Sequence, residues 1–354
     1  MKILIVTGSL GCGGAERVIA QLANEWVGSN NEVTILLVRE NDVFYRVRDE
    51  VKVEFLKTRQ GNPLSRKLSW LRGIRRFVSE CKPDVVLSLP EEIGIYVGLA
   101  LIGRKTRLVV SERNNPYVMP YKKITRLLRR ISYRFVDGFV FQSEAAAEFF
   151  SRRIRKRSVI LDNPLDLTRI PAPFTGEREK KMVCVSRLEK QKNIPNLIDG
   201  FALFYEKHPD FRLEIFGDGT LRAELESYAR NKLPPEAVHF MGRRENVLEL
   251  IRDASAFVLS SDYEGAPNSL IEAMACGLPC VSTDFEPCGA AICVNDGQNG
   301  LIVPRNDPER LALALEKLQD HAFADRLSVN AQKIKERVDS GIVAFRWLDF
   351  LGKE

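Results

Sequence analysis

The stretch Tyr263-Glu264-Gly265-Ala266-Pro267-Asn268-Ser269-Leu-Ile-Glu272-Ala-Met-Ala-Cys-Gly277 sets two carboxylates around a run of small residues. Apolar residues 256–260 before it read as a strand, Pro267 suits a first helical turn, and Gly277 suits a helix stop. Glu264 then stands on a strand-to-helix loop and Glu272 one turn inside the helix. A helix start built from Gly265, Ala266, Asn268 and Ser269 offers unpaired amides and a positive dipole end, which suit a phosphate. A carboxylate can accept two hydroxyls of a sugar or ribose. The plain alternative is that both glutamates merely favour a positive helix end, which explains one of them more easily than two.

Two other loops have chemical potential. Ser186-Arg187-Leu-Glu-Lys190-Gln-Lys192-Asn193 follows a strand and opens a helix. The Arg187 fork and the Lys192 point charge could both reach a pyrophosphate; the bland reading is a solvated basic turn. Gly11-Cys-Gly13-Gly14-Ala-Glu16 follows the first strand, and the amides of Gly13 and Gly14 could touch a phosphate or sugar. Glu16 stands where a dinucleotide fingerprint needs its third glycine, so a plain tight turn is an equal reading.

These loops need elements to hold them, and the chain supplies a repeating strand–helix pattern. Residues 2–7, 33–38, 51–55, 85–88, 108–111 and 138–142 read as strands, continuous in their apolar content. Helical stretches lie between several of them. A Pro-rich break, Asp162-Asn-Pro-Leu-Asp166 and Ile170-Pro-Ala-Pro, ends the pattern. It restarts with strands at 181–186, 213–217, 238–241, 256–260, 280–283 and 300–303, and with helices at 193–205, 221–231, 247–253, 268–276, 308–319 and 322–338. The expected fold class is α/β: two Rossmann-like, doubly wound parallel-sheet domains facing across a cleft, residues 1–165 and 166–337.

Composition bounds the rest. The 354 residues are 45% hydrophobic and 28% charged, as in a soluble two-domain protein. No apolar run approaches the roughly 18 to 20 residues of a membrane span. Residues 1–6 are too short for a signal peptide. The seven cysteines are scattered and mostly in apolar stretches, which suggests buried thiols in a reducing cytosol. Three widely separated histidines argue against a His-rich metal site. Charge is uneven. Residues 1–165 hold 29 Lys+Arg and 17 Asp+Glu, net +12, which leaves 24 and 30, net −6, for the remainder. An anionic partner is therefore expected on the first half. Its most basic stretch, residues 121–135, carries Ile124, Leu127, Leu128 and Ile131 on one stripe, expected to face the core. Lys122, Lys123, Arg126, Arg129 and Arg130 then form a solvated face that could meet anionic lipid headgroups.

The order of Gly13-Gly14-Ala-Glu16, Ser186-Arg187-Leu with Lys192-Asn193, Gly217-Asp218-Gly219, and Glu264-Gly-x-Pro with Glu272-Ala-x-Ala-x-Gly277 resembles the retaining glycosyltransferases of family four. The likeness runs to about residue 335. It implies the two-Rossmann-unit GT-B architecture, with the segment 338–354 packing back on the first domain. It implies a nucleotide-sugar donor, uridine-linked as the first expectation, bound mainly by the second domain, and an acceptor on the first. No metal and no cofactor would be needed. Arg187 and Lys192 match the pyrophosphate-binding cations, Glu264 the carboxylate on the transferred sugar, Glu272 the one on the ribose, and Gly14 the loop whose amides approach the donor; Gly217 falls within the donor side. Members with this layout often extend lipid-linked oligosaccharides, which places the protein on the inner face of the plasma membrane. Where many members carry a histidine, this chain has Ser111-Glu112-Arg113-Asn114. Arg113 cannot be a base, but with Asn114 and Glu16 it could contact the donor sugar or the acceptor. A sugar-nucleotide epimerase, a silent transferase-like subunit and an NAD-dependent oxidoreductase are the rival readings. A nucleic-acid partner is not expected, since no binding module is recognised.

Overall fold

A computed structural model describes residues 1–11, 13–39, 43–57 and 62–353. The chain divides into two compact units, Met1–Asp166 with the segment from Val338 onward, and Leu167–Arg337.

The first unit is built on seven parallel strands: β1 (Lys2–Thr7), β2 (Glu32–Leu37), β3 (Lys52–Phe55), β4 (Val85–Ser88), β5 (Arg107–Ser111), β6 (Gly138–Phe141) and β7 (Ser158–Ile160). Their order is β3-β2-β1-β4-β5-β6-β7. Ile3 lies in register between Val33 and Val85, and all three are buried. This is why the central strands read as unbroken apolar runs: both sheet faces are covered. β7 was not expected. It is a three-residue edge strand, only half-buried, directly after the charge run 152–157. Helix Gly14–Gly28 buries Val18, Ile19, Leu22 and Trp26. Helix Ser340–Leu351 lies against it: Trp26 Nε1 donates to the Ala344 carbonyl at 3.1 Å, and Ser340 Oγ donates to Glu25 at 2.6 Å.

The second unit has six parallel strands: β8 (Glu179–Val185), β9 (Arg212–Phe216), β10 (Val238–Gly242), β11 (Ala254–Leu259), β12 (Cys280–Thr283) and β13 (Leu301–Val303). Their order is β10-β9-β8-β11-β12-β13. Helices Ile194–Tyr205 and Pro308–Lys317 pack together so closely that a Cβ on Gly200 would stand 2.6 Å from Leu311. The last helical stretch breaks into His321–Ala331, a tight turn at Gln332–Ile334 and Lys335–Val338, rather than one helix.

Both units are doubly wound parallel sheets, as expected from the strand–helix alternation. In each, chain order reverses beside a central strand: between β1 and β4, and between β8 and β11. Ligands of open α/β sheets bind beyond the carboxyl ends of the strands at such a reversal.

One helix overturns its expectation. Lys123–Ser132 does not turn its apolar stripe to the core: Ile124, Leu127 and Ile131 are 59%, 51% and 39% exposed. Leu128 alone of the stripe packs partly against the core. The buried face is Thr125, Arg129 and Ser132, with Arg129 only 4% exposed. Arg129 therefore leaves the set expected to face a membrane, while Lys122, Lys123, Arg126 and Arg130 stay exposed. The inversion has a local cause. Arg129 donates to the carbonyls of Met119 at 3.0 Å and Pro116 at 3.2 Å, and lies 4.9 and 5.2 Å from the ring centres of Phe149 and Phe150. A cation placed over ring faces with its protons satisfied can be buried where a bare one could not.

Candidate active site

At the β8/β11 reversal, Arg187 and Lys192 come from the loop after β8, and Glu264 from the loop after β11. Lys192 Nζ forms an ion pair with Glu264 Oε1, both side chains being largely buried. Ser261 Oγ donates to the same oxygen at 2.6 Å, and Gln191 Nε2 approaches Glu264 Oε2 at 3.4 Å. Gln191 also donates to the Tyr263 carbonyl at 2.7 Å, and Asn193 Nδ2 to Asp262 Oδ1 at 2.8 Å. The two loops are thus stitched together, so that the Lys192 cation and the Glu264 carboxylate hold fixed places. Asn193 takes the left-handed conformation (φ 44) that turns the loop into helix Ile194–Tyr205. Arg187 is exposed; its Nη2 lies 3.5 Å from Gln191 Oε1.

Helix Asn268–Ala275 starts beside this pair, and no side chain caps it. Pro267 occupies the cap position, just before the first turn. Gly265, Ala266, Asn268 and Ser269 remain partly accessible around that start, and Glu272 is buried inside the helix. Gly277 ends the segment at φ 75. Gly217 has a steric reason. At φ 125 a Cβ would stand 1.9 Å from the Ser186 carbonyl oxygen, so only glycine lets the loop after β9 lie against the Arg187 loop.

In the first unit, the glycine loop after β1 leads into helix Gly14–Gly28, and Gly13 sits at its cap position without a side-chain cap. Glu16 folds back over Gly13, where a Cβ would meet its carboxylate at 2.2 Å, and Ser9 Oγ donates to it at 3.3 Å. Beyond the ends of β4, β5, β6 and β7 lies a buried polar cluster. Glu91 accepts from the Arg113 amide at 3.3 Å and from Asn114 Nδ2 at 2.7 Å. Arg113 donates to Ser111 Oγ at 3.3 Å and to Asn163 Oδ1, which Gln142 also reaches at 3.0 Å. Arg113 is thus a buried, clamped cation rather than a surface loop; burial lowers its pKa to about 10, with Glu91 opposing. Next to it, Glu112 accepts from the Tyr133 hydroxyl and lies 3.7 Å from Arg129. Burial, then the charge of Glu91, pushes its carboxyl up to about 8 against the pull of Arg129.

Sequence reasoning missed Glu91, Glu112, Gln142, Asn163, Gln191 and Ser261. Glu91 was findable: it stands just past β4, at the reversal itself. The others follow from no spacing rule. No group of residues suited to holding a metal occurs among the described residues.

Residues 169–334 match the family described as glycosyl transferases group 1, and residues 12–169 match Glycosyltransferase Family 4. A Campylobacter jejuni protein is 31% identical over all of this chain and 99% of its own length. It is the α-1,4-N-acetyl-D-galactosaminyltransferase acting on GalNAc-α-(1→4)-GalNAc-α-(1→3)-diNAcBac-PP-undecaprenol. The chain is a family-four glycosyltransferase. The transferase is also 22% identical, over 96% of its length, to the lipopolysaccharide 1,6-galactosyltransferase of Escherichia coli, 94% of which is covered. Its fold matches that of Anabaena Alr3699/HepE, solved with UDP-glucose, with a TM-score of 0.83 over 99% of both chains at 19% identity. The GT-B expectation thus stands.

Proposed function

We propose that the transferase moves a sugar from a uridine-diphosphate sugar to a polyprenyl-diphosphate-linked glycan, with retention at the anomeric carbon. The observation that carries this reading is the Lys192–Glu264 pair at the reversal of the second sheet. It sets a cation for a diphosphate beside a carboxylate for hydroxyls. The activity of the Campylobacter relative supports the acceptor class, and the UDP-glucose held by the HepE fold supports the donor class.

As the sugar–oxygen bond breaks, negative charge grows on the departing diphosphate. Arg187 and Lys192 stabilise that charge more in the transition state than in the bound donor, which is what raises turnover. Glu264, already oriented by Ser261 and Gln191, accepts hydroxyls of the transferred sugar. Glu272 accepts those of the ribose, and the open amides at the start of helix Asn268–Ala275 face phosphate oxygens. In the first unit, the family resemblance assigns the Gly13–Gly14 amides to the donor, and Arg113, Asn114 and Glu16 to the sugar or the acceptor. The scheme uses no metal and no cofactor, so activity should persist in EDTA.

The acceptor unit works at an anionic membrane surface, on the inner face of the plasma membrane. No helix among the described residues is long and apolar enough to cross a membrane. The exposed stripe Ile124, Leu127 and Ile131, flanked by Lys122, Lys123, Arg126 and Arg130, has the build of an interfacial helix.

The test is donor turnover across a panel of nucleotide-sugars, with and without a diphosphate-linked acceptor. Slow hydrolysis of one UDP-sugar is expected, and Lys192→Ala should lower turnover by about 10²-fold or more. Unchanged kinetics in that variant would defeat the reading. A silent transferase-like subunit is the second reading, favoured by the fixed Arg113 at the histidine position; it predicts donor binding without turnover.

A further inference from the structure

Behind the interfacial helix lies a cavity of about 610 Å³, within the 300–1,000 Å³ typical of small-molecule sites. Phe149, Phe150 and Ile154 supply its apolar wall, and Arg130, Arg134 and Arg153 line it as well. Six arginines and no aspartate or glutamate line it in all. No hydrogen bond or ion pair among the described residues engages the guanidinium groups of Arg130, Arg134 or Arg153. Crowding of like charge is felt there: burial, and then the charge of Arg153, weakens the hold of Arg157 on its proton. Arg129 has Glu112 at 3.7 Å and Arg157 feels the charge of Asp137, but three further cations, Arg130, Arg134 and Arg153, stand around the apolar hollow, and they ask for a ligand that is anionic at one end and apolar at the other.

The position of the cavity separates it from the transfer site. Arg134 precedes β6 and Arg153 precedes β7, at the amino ends of those strands. Arg113 and Asn163 lie past the carboxyl ends of β5 and β7. Arg126, Arg129 and Arg130 of helix Lys123–Ser132 line the hollow, and the same helix carries the stripe that would lie in the membrane interface.

We propose that this cavity takes one anionic phospholipid of the bilayer, an acyl chain against Phe149, Phe150 and Ile154 and its phosphate among Arg130, Arg134 and Arg153. The proposal rests on the membrane reading above for access, but the site is a distinct one. It adds one stoichiometric lipid contact to an attachment that the exposed stripe makes by itself.

Native mass spectrometry of the full chain mixed with phosphatidylglycerol or phosphatidylcholine tests it. A one-to-one adduct with phosphatidylglycerol, and none of comparable strength with phosphatidylcholine, is expected. Arg134→Ala with Arg153→Ala, both on the surface, should weaken the adduct about thirtyfold, equivalent to about 1 kcal/mol for each cation removed. Ile154→Trp should fill the wall and abolish the adduct, while flotation on phosphatidylglycerol vesicles persists through Ile124, Leu127 and Ile131. An adduct that survives both changes, or is equally strong with phosphatidylcholine, overturns the proposal. So does displacement of the lipid by a polyprenyl diphosphate, which would give the cavity to the acceptor. Loss of flotation with the adduct intact would sink the membrane reading and leave the cavity assignment standing.

Discussion

Replacing Glu112 with glutamine should change how the stability of the first unit depends on pH. Glu112 is buried, and its carboxyl is pushed up to about 8 from the ordinary 4.5. Between those values the folded chain holds a proton that the unfolded chain has released. Stability is then greatest below 4.5, falls as pH rises, and stops falling once pH passes the folded value. The slope is about 1.4 kcal/mol per pH unit, so the wild type should lose roughly 3 kcal/mol between about pH 5 and about pH 7 through this group alone. The substituted amide cannot ionise and keeps an acceptor for Tyr133. It does place an NH₂ group where Glu112 Oε2 now lacks a partner, a constant cost of about 1 to 3 kcal/mol. The variant should therefore be the weaker protein near pH 5 and gain on the wild type as pH rises. Urea unfolding followed by tryptophan fluorescence isolates the unit, because Trp26, Trp70 and Trp347 all belong to it. A stability difference that stays level across this pH range would refute the buried-proton account.

Glu264→Gln should cost roughly 1.5 to 3 kcal/mol in sugar transfer, and Glu272→Gln a similar amount in UDP affinity. Calorimetry with UDP and turnover with the full donor separate the two, and wild-type values in both would return the pair to a helix-end role. Gly217→Ala should destabilise the second unit by at least about 1 to 3 kcal/mol through backbone strain alone, visible as faster hydrogen exchange in β8 and β9. Leu127→Asp with Ile131→Asp should reduce vesicle flotation more than about tenfold, since each apolar side chain contributes about 1.5 to 3 kcal/mol when fully buried. Arg130→Ala should matter less, and only at low salt; equal effects would make the attachment purely electrostatic.

The strands were legible because a parallel sheet covered on both faces leaves uninterrupted apolar runs, and the Glu264–Glu272 loop because its residues are neighbours in sequence. The cluster around Arg113 was not. Glu91, Glu112, Gln142 and Asn163 come from the ends of four strands, and only the strand order gathers them. The helix at Lys123–Ser132 was read inside out for a different reason. An apolar stripe is assigned to the core on the premise that the opposite face meets water. Here the opposite choice is stable because Phe149, Phe150 and two carbonyls accept a buried arginine.

The docking of helix Ser340–Leu351 onto helix Gly14–Gly28 sets an order of assembly during synthesis. Trp26 and its partner Ala344 are 318 residues apart. At about 5 to 20 residues per second, Trp26 waits roughly 15 to 60 s after it is made. The unit that is translated first is thus completed last, after every residue of Leu167–Arg337 has emerged. In that interval helix Gly14–Gly28 lacks the cover that helix Ser340–Leu351 later gives it.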